Sequence, residues 1–132
     1  MGKALTFAAV RTIGLALPGT EEGTAWGTPV LRANGRIFTG IPIHRSAEPN
    51  SLMFSMGFPE RDEMIQDQPD IYYTAAHYEN YPCVLVRLAR VNRDALEDLV
   101  RMAHRYATAQ KPRRRKSPAR PARKRITRPA RR

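Results

Sequence analysis

Apolar residues at Phe7, Val10, Ile13 and Leu17 fall three, three and four positions apart, the spacing of one helical face. Pro18-Gly19 closes the run with a residue that cannot extend a helix and one suited to a turn, so a helix is predicted over residues 3–17. The stretch from Thr20 to Thr28 scatters charged and small residues around Trp26 and reads as a loop or a short irregular strand. Pro29–Ala33 and Arg36–Ile43 flank Asn34-Gly35, two residues that accept the positive φ a two-residue hairpin turn requires. Such a turn sets Ala33 opposite Arg36 and Leu31 opposite Phe38, with Val30, Arg32, Ile37 and Thr39 on the other face. Both faces are half apolar, so the pattern leaves open which of them is buried.

Further along, Leu52, Phe54 and Met56 alternate with Met53, Ser55 and Gly57, predicting a strand with one apolar face. Pro59 followed by Glu60, Asp62 and Glu63 suits a helix N-terminus, and Pro69 ends that helix. Ile71–Ala75 is rich in β-formers, His77–Pro82 is an aromatic-rich turn, and Cys83–Ala89 reads as a strand with Val84, Val86 and Leu88 inward. Asn92 is a good N-cap for a final helix in which Leu96, Leu99, Val100, Ala103 and Ala107 form one stripe, to about Thr108. The order α-β-β-β-α-β-β-α predicts, for residues 1–110, a two-layer α+β domain on an antiparallel five-stranded sheet.

Charge divides the chain at the same point. Of 23 lysines and arginines, 12 lie in residues 111–132, which contain no Asp or Glu. Residues 1–110 keep 11 basic residues against all 12 acidic ones, a net of −1. The basic segment also holds four prolines and a single branched apolar residue, Ile126. It cannot bury enough surface to offset the entropy of folding, so a disordered C-terminal tail is expected.

Several classes are disfavoured. One cysteine allows neither a disulfide framework nor a thiolate zinc cluster within the chain. No apolar run approaches the roughly 20 residues of a membrane-spanning helix. Arg11 interrupts the one stretch that could serve as a signal peptide. These features lead to the expectation of a cytoplasmic, or nucleoid-associated, protein with no membrane partner, a monomer by default.

Candidate chemistry is sparse. His77-Tyr78-Glu79 before Pro82-Cys83 contains pieces of a zinc deaminase signature, but the second cysteine is missing. The spacing of His44, His77, Glu79 and Cys83 does not favour a metal, and no metal or cofactor is expected. Ser46 and Ser51 lack nucleophile-elbow glycines, and no glycine-rich loop cradles phosphate. What remains is a polar and aromatic set: Trp26, His77, Tyr78, Glu79 and Tyr81. It either packs one end of the sheet or lines a small-ligand or protein-binding cleft. In an enzyme, His77 and Glu79 would serve as acid and base.

The basic segment points elsewhere. Lys111, Arg113, Arg114, Arg115, Lys116, Arg120, Arg123, Lys124, Arg125, Arg128, Arg131 and Arg132 would displace counterions from a phosphate backbone. Nine of the twelve are arginines, whose planar fork suits phosphate. Arg32, Arg36 and Arg45, on or just beyond the predicted hairpin, would add a second contact surface. The function expected is non-enzymatic nucleic-acid binding, DNA rather than RNA, largely without sequence preference.

Two blocks of sequence carry a family resemblance. Leu17-Pro18-Gly19-Thr20-Glu21-Glu22-Gly23, Trp26-Gly27-Thr28-Pro29, and Gly35 with Phe38 form the first; Tyr72 to Leu88 forms the second. In order and distance they resemble the MmcQ/YjbR family over residues 4–108, with Ala76, Asn80 and Cys83 where that family more often has Pro, Gly and Ala. The resemblance implies a CyaY-like, secretion-chaperone-like fold of order α-β3-α-β2-α. It also implies a DNA-binding role by analogy with a double-wing surface, and it supplies no catalytic residues.

Overall fold

The Thr6 side chain accepts a hydrogen bond from the Ala8 amide (3.2 Å), so the first helix starts only at Phe7. This is the first element of a computed structural model that describes residues 5–110. The basic residues from Lys111 to Arg132, and the disorder expected of them, lie outside the described residues. The elements are α1 (Phe7–Leu15), β1 (Thr20–Ala25), β2 (Thr28–Ala33), β3 (Arg36–Gly40), β4 (Ser51–Ser55), α2 (Phe58–Asp67), β5 (Tyr72–Tyr73), β6 (Cys83–Arg87) and α3 (Arg93–Ala109). All strand pairs are antiparallel, in one sheet of order β1-β2-β3-β4-β6-β5.

The sheet therefore has six strands among the described residues, not five, and four of them precede α2. The additional strand is β1. Its Glu21 and Glu22 are exposed and it lies at the sheet edge, so it needs no apolar alternation to be held in place. Backbone pairing with β2 holds it, from Thr20 opposite Ala33 to Ala25 opposite Thr28.

The β2–β3 hairpin turns at Asn34-Gly35, with φ of 58° and 76°, and Ala33 pairs with Arg36 as expected. Beyond Arg32–Ile37 the register slips: Leu31 pairs with Thr39, not with Phe38. Phe38 is the extra residue of a bulge. As a result Phe38 and Thr39 are consecutive buried residues, which breaks strict alternation. Leu31, Ala33 and Phe38 join the main core, so theirs is the buried face that the half-apolar pattern left open.

That core lies between the sheet and the α1/α3 layer. Leu52, Phe54, Met56, Val84, Val86 and Leu88 face Val10 of α1 and Leu96, Leu99, Val100 and Ala103 of α3. Burying each large side chain contributes about 1.5–3 kcal/mol. The helix α1 crosses so close over β2 that a side chain at Gly14 would collide with Leu31. His104 of α3 donates from Nε2 to the Pro18 carbonyl (2.7 Å) and sets its ring edge-on to Phe38, fixing the α1–β1 turn against α3.

Asn34 has two roles. It adopts the left-handed conformation of the turn, and its Nδ2 donates to the Gln110 carbonyl (2.8 Å) and the Ala107 carbonyl (3.4 Å) at the end of α3. Asn34→Gly keeps the conformation and loses the bonds, whereas Asn34→Ala loses both. In urea unfolding we expect a loss of about 1 kcal/mol for glycine and roughly 2–3 kcal/mol for alanine. Equal losses would mean that the backbone conformation contributes nothing.

Candidate functional site on the second face of the sheet

Three buried apolar residues stay outside the main core: Val30, Cys83 and Leu85. Alternation along β2 and β6 sends them to the opposite face, away from the α1/α3 layer. Two loops, residues 41–50 and 74–82, are tied together and to that face by polar and aromatic side chains. The His44 amide donates to the Tyr78 hydroxyl (3.2 Å), and the Glu48 amide donates to the Tyr73 hydroxyl (2.7 Å). The Tyr73 hydroxyl also bonds Ser51 Oγ at 2.6 Å.

Arg87 holds this assembly. Its Nε and Nη2 donate to the two carboxylate oxygens of Glu48, both at 2.8 Å, and its Nη1 donates to the Pro69 carbonyl at 3.0 Å. The guanidinium also lies 4.3 Å from the Tyr73 ring centre. The hydrogen bonds from Arg87 hold the Glu48 carboxyl below its ordinary range, against a smaller opposing effect of desolvation.

Beside this pair, His44 and His77 stack face to face, with centroids 3.9 Å apart and planes within 4°. Tyr78 stands edge-on to His77 at 4.9 Å, and Tyr81 is tilted toward it at 6.1 Å. The Ser46 amide donates to His44 Nδ1 (3.0 Å), which also lies 2.8 Å from the Ser46 hydroxyl, and an accepting Nδ1 favours the neutral ring. Desolvation, then the neighbouring His77 and Arg45, lower the His44 pKa.

Of the residues singled out from sequence, His77, Tyr78 and Tyr81 come together here. Glu79 is exposed and engages only through its carbonyl, which accepts from Arg61 Nη1 (2.8 Å). Trp26 stands apart on the β1–β2 turn, with no ring contact to the others. Arg32 and Arg36 project to opposite faces of the hairpin, and Arg45 lies in the loop beyond the far end of β3. His44, Glu48, Ser51, Tyr73 and Arg87 were not part of the predicted cluster. An arginine within the apolar strand Cys83–Arg87 was the available sign.

Burial pushes the Cys83 thiol up to about 11, so it is neutral at physiological pH and is a poor nucleophile or ligand. Among the described residues no three His, Cys, Asp or Glu side chains converge as a metal site, and no helix is long and apolar enough to cross a membrane. What the arrangement does is join the two loops to each other and to Arg87 while leaving His77 and Tyr81 exposed.

Two titrations follow from this geometry. In NMR, His44 should titrate below an ordinary histidine, and His77→Ala should raise its midpoint; an unmoved midpoint would mean the stack has no electrostatic effect. Because the Glu48 pKa is lowered, its contribution to stability is present above its ordinary value of 4.5 and is lost as pH falls through the lowered one. Glu48→Gln should therefore be less stable than wild type at pH 7, with the gap closing in acid unfolding. A gap constant with pH would rule out the ion pair as its source.

The sequence model of the YjbR family matches residues 15–106. Uncharacterized proteins of Mycobacterium tuberculosis (H37Rv) and Mycobacterium bovis are each 45% identical to the chain over 81 residues, 58% of this chain and 59% of theirs. The chain thus matches less than two thirds of the length of these relatives. The crystal structure of a Deinococcus radiodurans protein with the domain DUF419 superposes with a TM-score of 0.61 at 20% identity, over 76% of this chain and 77% of that one. That likeness is one of fold. Both sequence blocks that carried the resemblance lie within the matched span, and the chain belongs to the YjbR family.

Proposed function

We propose that this chain is a non-enzymatic nucleic-acid-binding protein in which residues 111–132 supply most of the affinity, with little sequence preference. The observation that carries this reading is the segregation of charge: 12 basic and no acidic residues after Gln110, against a net of −1 before it. Within the folded part, Arg11, Arg61, Arg87, Arg93 and Arg101 are each already paired with a carboxylate. The basic segment therefore contributes most of the charge available to a polyanion. A cleft built from Trp26, His77, Tyr78 and Tyr81 has less support, because Trp26 stands away from the other three.

Among the described residues the main core runs from Phe7 to Ala107, and a chain ending at Gln110 retains all of these. Fluorescence anisotropy of a labelled duplex should show binding by the full chain that weakens steeply with salt. If six to ten phosphates are neutralised, affinity falls roughly 10³–10⁵-fold between 50 and 200 mM salt. The shortened chain should bind weakly and with a shallow slope. Equal binding by the two chains would place the affinity in the folded domain.

A further inference from the structure

Two hairpins in this protein turn with the same backbone signature and different residues. At the β2–β3 turn, Asn34 and Gly35 have φ of 58° and 76°; at the β1–β2 turn, Trp26 and Gly27 have φ of 53° and 81°. Both are two-residue turns with positive φ at each central position, where Asn-Gly is strongly favoured. A bulky aromatic residue in this conformation is strained. Turn chemistry therefore does not account for Trp26.

Packing does not account for it either. Trp26 is the single tryptophan of the chain, is 76% exposed, and has no hydrogen-bond, ring or ionic partner among the described residues. The turn that carries it projects from the sheet on its own two strands. The pairs Thr24–Pro29 and Ala25–Thr28 extend past the last pair that β2 makes with β3, Val30–Gly40. Thr28 Oγ1 donates to the Ala25 carbonyl (3.0 Å) and lies 3.4 Å from the Ile41 carbonyl. A strained, projecting, unpacked indole is the geometry of a contact residue.

The chemistry around the indole indicates the partner. Arg32 reaches along β1, its Nη2 3.4 Å from the Thr24 carbonyl, which places a guanidinium two residues from the tip. The tip itself is flanked by Thr24, Ala25, Gly27 and Thr28, too small and polar to add an apolar anchor for a lipid surface. A flat exposed ring beside a cation, in a chain whose C-terminal segment is strongly basic, fits a nucleobase and its phosphate.

We propose that the β1–β2 hairpin contacts single-stranded nucleic acid, with Trp26 stacking on an unpaired base and Arg32 meeting an adjacent phosphate. This rests on the nucleic-acid reading above and adds to it a preference for unpaired bases. The basic segment supplies charge and the hairpin supplies discrimination between single and double strands.

The full chain serves for the test, with Trp26 as its only indole fluorophore. A thymidine oligonucleotide of about 16 nucleotides and a duplex of equal length are titrated into wild type, Trp26→Asn, Trp26→Phe and Arg32→Ala. We expect the single strand to quench Trp26 more than the duplex does. Trp26→Asn should lower single-strand affinity roughly five- to hundred-fold, with its salt slope unchanged and duplex binding little affected. Trp26→Phe should retain part of the affinity, and Arg32→Ala should reduce the salt slope by about one.

Asparagine suits the turn, so Trp26→Asn should unfold at the same or a higher temperature, which separates lost contact from lost fold. Strong salt-dependent binding with no quenching and no effect of Trp26→Asn would overturn this inference and leave the broader reading standing. No binding of either nucleic acid by the full chain would overturn both. A blue shift of Trp26 emission with phosphatidylserine vesicles, and no response to oligonucleotide, would assign the hairpin to a lipid surface and overturn the proposal.

Discussion

One guanidinium, that of Arg87, ties together the segments that meet on the face of the sheet away from α1 and α3. The layer formed by α1 and α3 covers one face, and Val30, Cys83 and Leu85 are buried on the other. Loops carry backbone polar groups that must find partners. Arg87 supplies three hydrogen bonds at once, two to the Glu48 carboxylate and one to the Pro69 carbonyl, and stacks on Tyr73. Tyr73 then binds the Glu48 amide and Ser51, so the 41–50 loop is fixed at its side chain and its backbone alike. With that loop in place, His44 can stack on His77 and its amide can reach Tyr78.

The two histidines of this face differ from the third in what they do for the fold. His104 is buried in α3 and makes one short bond to the Pro18 carbonyl, an ordinary satisfied core polar group. His44 and His77 are exposed and sit face to face, an arrangement that disfavours two positive charges. Within the same loop the Ser46 amide donates to His44 Nδ1.

Residues released from structural duty stand out against this background. In the folded domain many arginines are neutralised by carboxylates or bonded to carbonyls, leaving the folded surface close to electrically balanced. Trp26 is the reverse case: it takes a strained conformation and buries little, in a protein that uses Asn-Gly at its other tight hairpin. Charge concentrated after Gln110 and an aromatic ring exposed at the edge hairpin are the two features on which the proposed nucleic-acid binding rests.

Much of the fold was legible in the sequence because it depends on neighbours. Helix stripes such as Leu96, Leu99, Val100 and Ala103, the cap at Asn92, the Asn34-Gly35 turn and the alternation of Leu52, Phe54 and Met56 all follow from residues a few positions apart. The segregation of positive charge beyond Gln110 is likewise a property of sequence alone. Tertiary structure decided the rest. An edge strand such as β1 needs no apolar pattern, so only its pairing with β2 reveals it. The Phe38 bulge turns two successive residues to one face, which no period-2 rule anticipates. Arg87 and Glu48 are 39 positions apart, and whether such residues meet depends on the face and register to which the strands assign them. Local periodicity specifies the elements; the joining of the two loops on the second face is specified only when those elements pack.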